Sequence, residues 1–263
     1  MFKYLRKALT LKRSIVNLIT SLGWFQAYVY GIQMLRQSVL NRDSSYTLTS
    51  KNSEFPLICR PNTSDISVFG QIFIEREYSC LDDLSDVELI IDCGANVGYS
   101  SAYFLTRFPK SRVICIEPDP SNFTILEKNL APYKERVKLI NSGVWSHQAG
   151  LKILETPGLD WSAWAVQVRE CNVGEVPEMQ ATDVGTLLKE SDSDKISILK
   201  MDIEGAEAVV FAKNYESWLP FVDNIAIEIH GSKASDIVLN TVAACKPFNV
   251  SSSGELTIFK SCV

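Results

Sequence analysis

The sequence is poor in several things that would have settled its class at once. It has only two histidines, His147 and His230. Its seven cysteines (Cys59, Cys80, Cys93, Cys115, Cys171, Cys245, Cys262) include no C-x-x-C pair, which excludes a zinc knuckle or a disulfide frame. Free thiols in a reducing cytoplasm are the expected state. Positive charge is also short: 26 Lys and Arg stand against 31 Asp and Glu, a formal charge of −5. A nucleic-acid backbone would call for a broad basic face, so it is disfavoured as a partner. The Asp-Pro-Pro-Tyr type of motif that grips a flipped base is absent too. There is no repeat and no low-complexity tract, and 263 residues suit one large α/β domain with an elaboration at one end.

The first 42 residues differ from the rest, with seven Lys or Arg and no acid before Asp43. From Ser14 to Leu35 no residue carries a formal charge. Asn17, Thr20, Gln26, Gly31 and Gln33 interrupt that apolar run, and no small-x-small cleavage site follows it. Three arrangements fit: helices packed on the main domain, a basic amphipathic anchor making peripheral membrane contact, or a single span. The packed arrangement leads. Residues 1–50 therefore read as a helical extension and 51–263 as the main domain.

What is present is concentrated in Leu89-Ile-Ile-Asp-Cys-Gly-Ala-Asn-Val-Gly98. A buried strand ends in an acid, and a glycine-spaced turn opens a helix at Tyr99. That is the layout of a nucleotide-type cofactor site at the carboxyl end of a parallel strand. A dinucleotide fingerprint wants a glycine first, to admit a pyrophosphate. Asp92 holds that place, and a carboxylate there suits a ligand with an ammonium and a sulfonium, as in S-adenosylmethionine.

Strands are expected at Phe55–Cys59, Glu88–Asp92, Arg112–Glu117, Val137–Asn141, Ile196–Asp202 and Asn224–His230. Helices are expected from about Asp65 to Phe73, from Tyr99 to Phe108, after Pro118–Ser121, and from Gly205 to Lys213. The tail reads as a hairpin, Phe248–Val250 and Glu255–Lys260, joined by a Ser-Ser-Ser-Gly254 turn. Alternating strands and helices predict a doubly wound, mostly parallel sheet. A terminal antiparallel hairpin on such a sheet is a habit of class I (Rossmann-like) methyltransferases and not of dehydrogenases. Residues 145–195 form a long excursion, in which Trp164, Val166 and Val168 alternate as in a strand. It is either a substrate wall or an extension of the core, and Trp161 and Trp164 could stack on a sugar or belong to the core.

Five stretches together resemble the FkbM family of methyltransferases. They are Arg60-Pro-Asn-Thr-Ser-Asp65 with Gln71-Ile-Phe73, then Asp92-Cys-Gly-Ala-Asn-Val-Gly98, Ile116-Glu-Pro-Asp-Pro120, Lys200-Met-Asp-Ile-Glu-Gly-Ala-Glu207, and Ile227-Glu-Ile-His230. The resemblance spans roughly residues 57–231. It implies a class I fold, S-adenosylmethionine as methyl donor, and O-methylation of a sugar, glycan or polyketide-like acceptor.

The residues themselves suggest roles. Gly94 and Gly98 would let the backbone fold under the cofactor, although close packing of helix on strand also explains Gly98. Asp92 would receive the ammonium, directly or through water, and Asn96 the carboxylate. Glu117, at the end of its strand, would accept both ribose hydroxyls. Asn141, Ser142 and Gly143 would flank the adenine. Asp202, Glu204 and Glu207 gather three acids at the end of the fourth strand, more than helix capping requires. Glu204 and Glu207 are expected to share one face. Glu228 and His230 share a side of the fifth strand, and His230 or Glu204 would take the acceptor proton. A divalent metal on Asp202, Glu204 and Glu228 is a variant ranked below the metal-free mechanism. An NAD-linked oxidoreductase and a cofactor-binding membrane scaffold without turnover are the rival functions. The oligomeric state is open.

Overall fold

The computed structural model describes residues 16, 18–39, 44–153 and 168–262, with the side chains of 36–39 left aside. Helix α1 (Trp24–Val39) follows a shorter helical stretch that breaks at Gly23, whose φ of +81° suits glycine. Strands β1 (Tyr46–Leu48) and β2 (Leu57–Cys59) pair antiparallel, and α2 (Asp65–Phe69) continues into one π-helical turn, Gly70–Ile74. Then come β3 (Leu89–Cys93), α3 (Tyr99–Arg107), β4 (Arg112–Ile116), α4 (Pro120–Leu130), β5 (Val137–Ile140), β6 (Gly143–Val144), β7 (Ala149–Ile153), β8 (Val168–Glu170) and β9 (Met179–Thr182). Helix α5 (Val184–Lys189), β10 (Ile198–Met201), α6 (Glu207–Ala212), β11 (Asn224–Glu228), α7 (Ser232–Cys245), β12 (Phe248–Ser253) and β13 (Leu256–Ser261) complete the order.

The main sheet has seven strands in the order β12-β13-β11-β10-β3-β4-β5, all parallel except β13. The chain winds outward from β3 through β4 to β5, then restarts at β10 on the other side. The switch between β3 and β10 opens a crevice beyond the carboxyl ends of the strands. This is the class I methyltransferase sheet, terminal hairpin included. The long apolar strand interiors are explained by cover on both faces. Ile90, Val113, Cys115, Ile198 and Ala226 pack on one side beneath α2, α3 and α4. Leu89, Ile91, Ile114, Leu199 and Ile225 pack on the other beneath α5, α6 and α7.

Period two therefore decides where each polar strand residue goes. Asp92 lies on the same side as Ile90, and Lys200 on the same side as Ile198. The two are paired across the β3–β10 register.

Several expectations need correcting. The three serines 251–253 lie inside β12, so the hairpin turn is Gly254 and Glu255 alone. The Asp65–Phe73 helix changes to the π form after Phe69. The excursion folds into a second sheet, β6-β9-β7-β8. Val168 opens β8, whereas Trp161, Trp164 and Val166 fall outside the described residues. Helix α7 had no counterpart in the sequence reading.

The described part of the N-terminal extension packs on the domain. Leu22 and Ala27 are buried, and the Tyr30 hydroxyl donates to Ile66 O at 3.3 Å. No helix among the described residues is long and apolar enough to cross a membrane.

Candidate active site

The crevice at the switch point has a volume of about 900 Å³ and is walled by several parts of the chain. The segment from Asn62 to Ile72 forms one wall, and the turn Gly94–Val97 lies beneath it. The strand ends carrying Glu117, Asp202 and Glu228 form the floor, and Gly143, Ile153, Val168 and Met179 bring the second sheet to the rim.

At the β4 end, Glu117 is 5% exposed and held by three donors. Its Oε2 accepts from Asn96 N at 2.8 Å, and its Oε1 accepts from Asp119 N at 2.9 Å and Asn122 Nδ2 at 3.3 Å. Burial pushes its carboxyl up despite those bonds. Both oxygens keep lone pairs, so the group is oriented and still able to accept from a diol. Asn96 sits in the left-handed region at φ +51°, which turns its backbone N–H toward Glu117.

Asp92 lies elsewhere than expected. It is 0% exposed and absent from the crevice lining. Ser100 and Ser101 each donate to its Oδ2 at 2.6 Å, and Lys200 Nζ lies 3.2 Å from its Oδ1 as an ion pair. The Lys200 ammonium also donates to Gly94 O at 2.6 Å. Burial alone would push this ammonium down, but Asp92 foremost, then Tyr78 and Asp202, hold it well above its ordinary value. The acid that opens the motif thus anchors the turn from below, with its charge already met.

The glycines are also demanded by the protein itself. A Cβ on Gly94 (φ +78°) would run into the Asp202 carbonyl oxygen. A Cβ on Gly98 (φ +86°) would stand 2.9 Å from Leu126 Cδ1, and Gly98 does not line the crevice. Helix packing is therefore what Gly98 serves. Of the three residues expected beside the adenine, only Gly143 lines the crevice. Asn141 Nδ2 donates to Glu117 O at 2.8 Å and Ser142 Oγ to Gln180 O at 2.8 Å, which fixes the strand ends instead.

The other end of the crevice gathers acids around His230. Its Nδ1 is 3.1 Å from Glu207 Oε1, and its Nε2 is 3.4 Å from Glu228 Oε1 and 3.5 Å from Glu204 Oε2. Hydrogen bonds to Glu207 and Glu228 raise the imidazole to about 11, and His230 in turn lowers Glu228. Burial, then Asp202, raises Glu204 to about 7, and burial raises Asp202. Glu204 and Glu207 do not share a helical face. Glu204 stands before α6 at φ +53°, while Glu207 opens the helix, is 0% exposed and lies behind His230. Glu207 therefore holds the histidine and does not itself line the crevice. His147 is outside the site, 3.1 Å from Ser146 Oγ.

Sequence reasoning passed over Lys200, Tyr78 and the serines beneath Asp92. A lysine inside the apolar run Ile196–Met201 was the signal for the first of these.

Sheet order and crevice together define a class I methyltransferase. The chain matches the model described as "Methyltransferase FkbM domain" over residues 92–246, and it belongs to that family. It is an S-adenosylmethionine-dependent methyltransferase. It is 24% identical over 212 residues to Methyltransferase 1 of Beauveria bassiana, covering 70% of this chain and 80% of that one. It is 24% identical over 190 residues to Methyltransferase sdnD of Sordaria araneosa, covering 61% and 73%. Among solved structures it is similar to M. capricolum TrmK in complex with S-adenosylhomocysteine, at 11% identity and a TM-score of 0.42, covering 71% and 68%. The NAD-linked alternative falls with the family assignment.

Proposed function

We propose that the protein transfers a methyl group from S-adenosylmethionine to a hydroxyl of a small molecule, a sugar, glycan or polyketide-like compound. The observation that carries this reading is the crevice's polarity along its length. A diol-accepting carboxylate, Glu117, stands at one end, and proton-accepting carboxylates, Asp202, Glu204 and Glu228, stand at the other. The bound donor supplies a methyl on a sulfonium. Glu204 would take the proton that the acceptor hydroxyl gives up as its oxygen replaces the donor sulfur on that methyl carbon. Glu204 suits that role because it lines the crevice beside His230 and projects from a turn outside any helix.

Glu117 would hold the ribose and Asn96 the carboxylate of the donor. The residues fit such a group, since Glu117 is oriented by backbone donors and not consumed by a cation. Alignment of oxygen, methyl and sulfur in the crevice supplies up to roughly 7–11 kcal/mol in well-oriented systems. The small second sheet would be the wall that selects the acceptor, through Ile153, Val168 and Met179. Acids outnumber basic groups along the lining, with Glu77, Glu117, Asp119 and Glu255 added to the three above, which disfavours phosphate-rich acceptors.

The test is transfer of labelled methyl to hydroxylated compounds from the source cell, comparing wild type with E204Q. The expected loss in kcat is ~10²–10⁴-fold, the range for a positioned acid–base group, with donor affinity retained. Wild-type kcat in E204Q would remove Glu204 from the step. Labelling confined to nitrogen or carbon would end the O-methylation reading.

We also infer peripheral membrane contact through residues 1–42. Trp24, Tyr28 and Leu35 recur on one face of α1 and are 78%, 66% and 69% exposed. The seven basic residues of this segment complement an anionic surface. Vesicles of anionic lipid should sediment the wild type, and W24S/Y28S should stay in solution. Equal sedimentation of both would exclude this face.

A further inference from the structure

The acid end of the crevice holds more negative charge than its visible partners meet. Lys200 is committed to Asp92 and to the Gly94 carbonyl. That leaves His230 facing Glu204, Glu207 and Glu228, with Asp202 alongside. Asp202 Oδ1 is buried and has no hydrogen-bond partner among the described residues. A buried polar atom left so in a native site calls for a partner, and a bound ion is one.

The orientation of His230 supplies the second argument. Glu207 Oε1 already accepts from Ile203 N and from Gly205 N, each at 3.2 Å. It can only accept from the ring as well, so Nδ1 carries a hydrogen and donates to it. The other nitrogen, Nε2, stands 3.4 Å from Glu228 Oε1 and 3.5 Å from Glu204 Oε2, and a cation seated among these groups would displace its proton. A buried carboxylate that fixes one imidazole nitrogen and presents the other is how proteins orient a metal-ligating histidine.

One donor atom each from Asp202, Glu228 and His230 lies within 4.8 Å of the others. In a six-coordinate site with bonds of ~2.1 Å, neighbouring donors stand ~3 Å apart. A small side-chain closure would place all three on one face of such an octahedron, with the remaining positions toward the crevice.

We propose that Asp202, Glu228 and His230 Nε2 bind a divalent cation, with Glu207 as a positioning residue. The mixed imidazole and carboxylate set favours manganese, iron or zinc over calcium. Resting on the O-methylation reading, the ion would polarise the acceptor hydroxyl next to Glu204.

The test uses the full chain, stripped with a chelator and titrated with MnCl₂ while the resonance signal of free Mn²⁺ is followed. One equivalent should be taken up saturably. H230Q and E228Q should each weaken uptake at least ~10-fold, and E207Q by ~10–100-fold, as second-layer partners of a metal do. S-adenosylhomocysteine binding by the same preparations shows that they are folded. Wild-type protein offers a check that needs no variant, because only two histidines give ring resonances. Zn²⁺ should shift those of His230 and leave His147 in place. No saturable uptake up to millimolar Mn²⁺, or equal uptake by wild type and both variants, overturns the site. Methylation of a hydroxyl by chelated protein that takes up no Mn²⁺ also overturns it, while sparing the O-methylation reading. Uptake through these residues by a protein that methylates only nitrogen would do the reverse.

Discussion

Replacing Lys200 by methionine tests whether the acid of the glycine turn is a buried anchor. Lys200 and Asp92 are 3% and 0% exposed, and their charged atoms are 3.2 Å apart. Methionine matches the volume of the lysine stem but leaves the Asp92 carboxylate without a cation, in contact only with Ser100 and Ser101. Removing one partner of a buried pair costs about 3–5 kcal/mol, because the other charge stays desolvated. The bond to Gly94 O is lost as well, so the turn loosens and affinity for S-adenosylhomocysteine should fall. Equilibrium unfolding in urea gives the stability change and calorimetry the affinity. The double variant D92N/K200M should recover at least half of the loss, since the amide introduced by D92N can still accept from the serines and no lone charge remains. A K200M cost under about 1 kcal/mol would refute the buried anchor. Simple addition of the two substitutions would refute it too, because residues in contact should couple.

Three further outcomes follow from the same geometry. E117Q should weaken S-adenosylhomocysteine by about 1.5–3 kcal/mol, the worth of a hydrogen bond to a charged group, with the fold intact by circular dichroism. G94A should abolish donor binding and G98A should chiefly destabilise, by about 1–3 kcal/mol, since the first Cβ meets backbone and the second meets leucine side chains. Burial raises Glu77 to about 6, so its folded value lies above its unfolded one. Its contribution to stability is then present below the unfolded value near 4.5 and lost as pH rises through about 6. E77Q should therefore gain on wild type by up to ~2 kcal/mol between pH 4.5 and pH 7.5, read from urea midpoints; a constant difference would disprove the assignment.

The fold was legible because its signals are local and repeated. Continuous apolar strands announced a sheet covered on both faces, and Asp92–Gly98 marked its switch point. The second sheet was not legible, since β6 has two residues and β8 three, too few for a period to show. Helix α7 carries weak local signals: no side chain caps it, no acid stands in its first turn, and only Ala234, Val238 and Val242 are buried along it. The β4 end of the crevice was half legible. Glu117, Asn96 and Gly143 do line the crevice, but Asn141 and Ser142 turn to backbone carbonyls that only the folded chain brings near.

Asp92 shows why a motif can place a residue and still mislead about its task. Its position at a strand's carboxyl end suggested ligand contact, yet pleating had already decided its direction. Ile90 and Asp92 share a side of β3, that side is covered by α3, and Ser100 and Ser101 on α3 are its nearest donors. The sequence held a second sign of this, an unexplained lysine on the equivalent side of β10. An acid in one central strand and a lysine in another, each on the side facing the same helix layer, have each other as the opposite charge to meet. Most of the acids that line the crevice then stand just past the strand ends, as Glu117, Asp202 and Glu204 do, where the backbone leaves the sheet. On the proposed reading the acids at or just beyond the ends of β4, β10 and β11 would carry the chemistry, while the acid within β3 holds the floor beneath them.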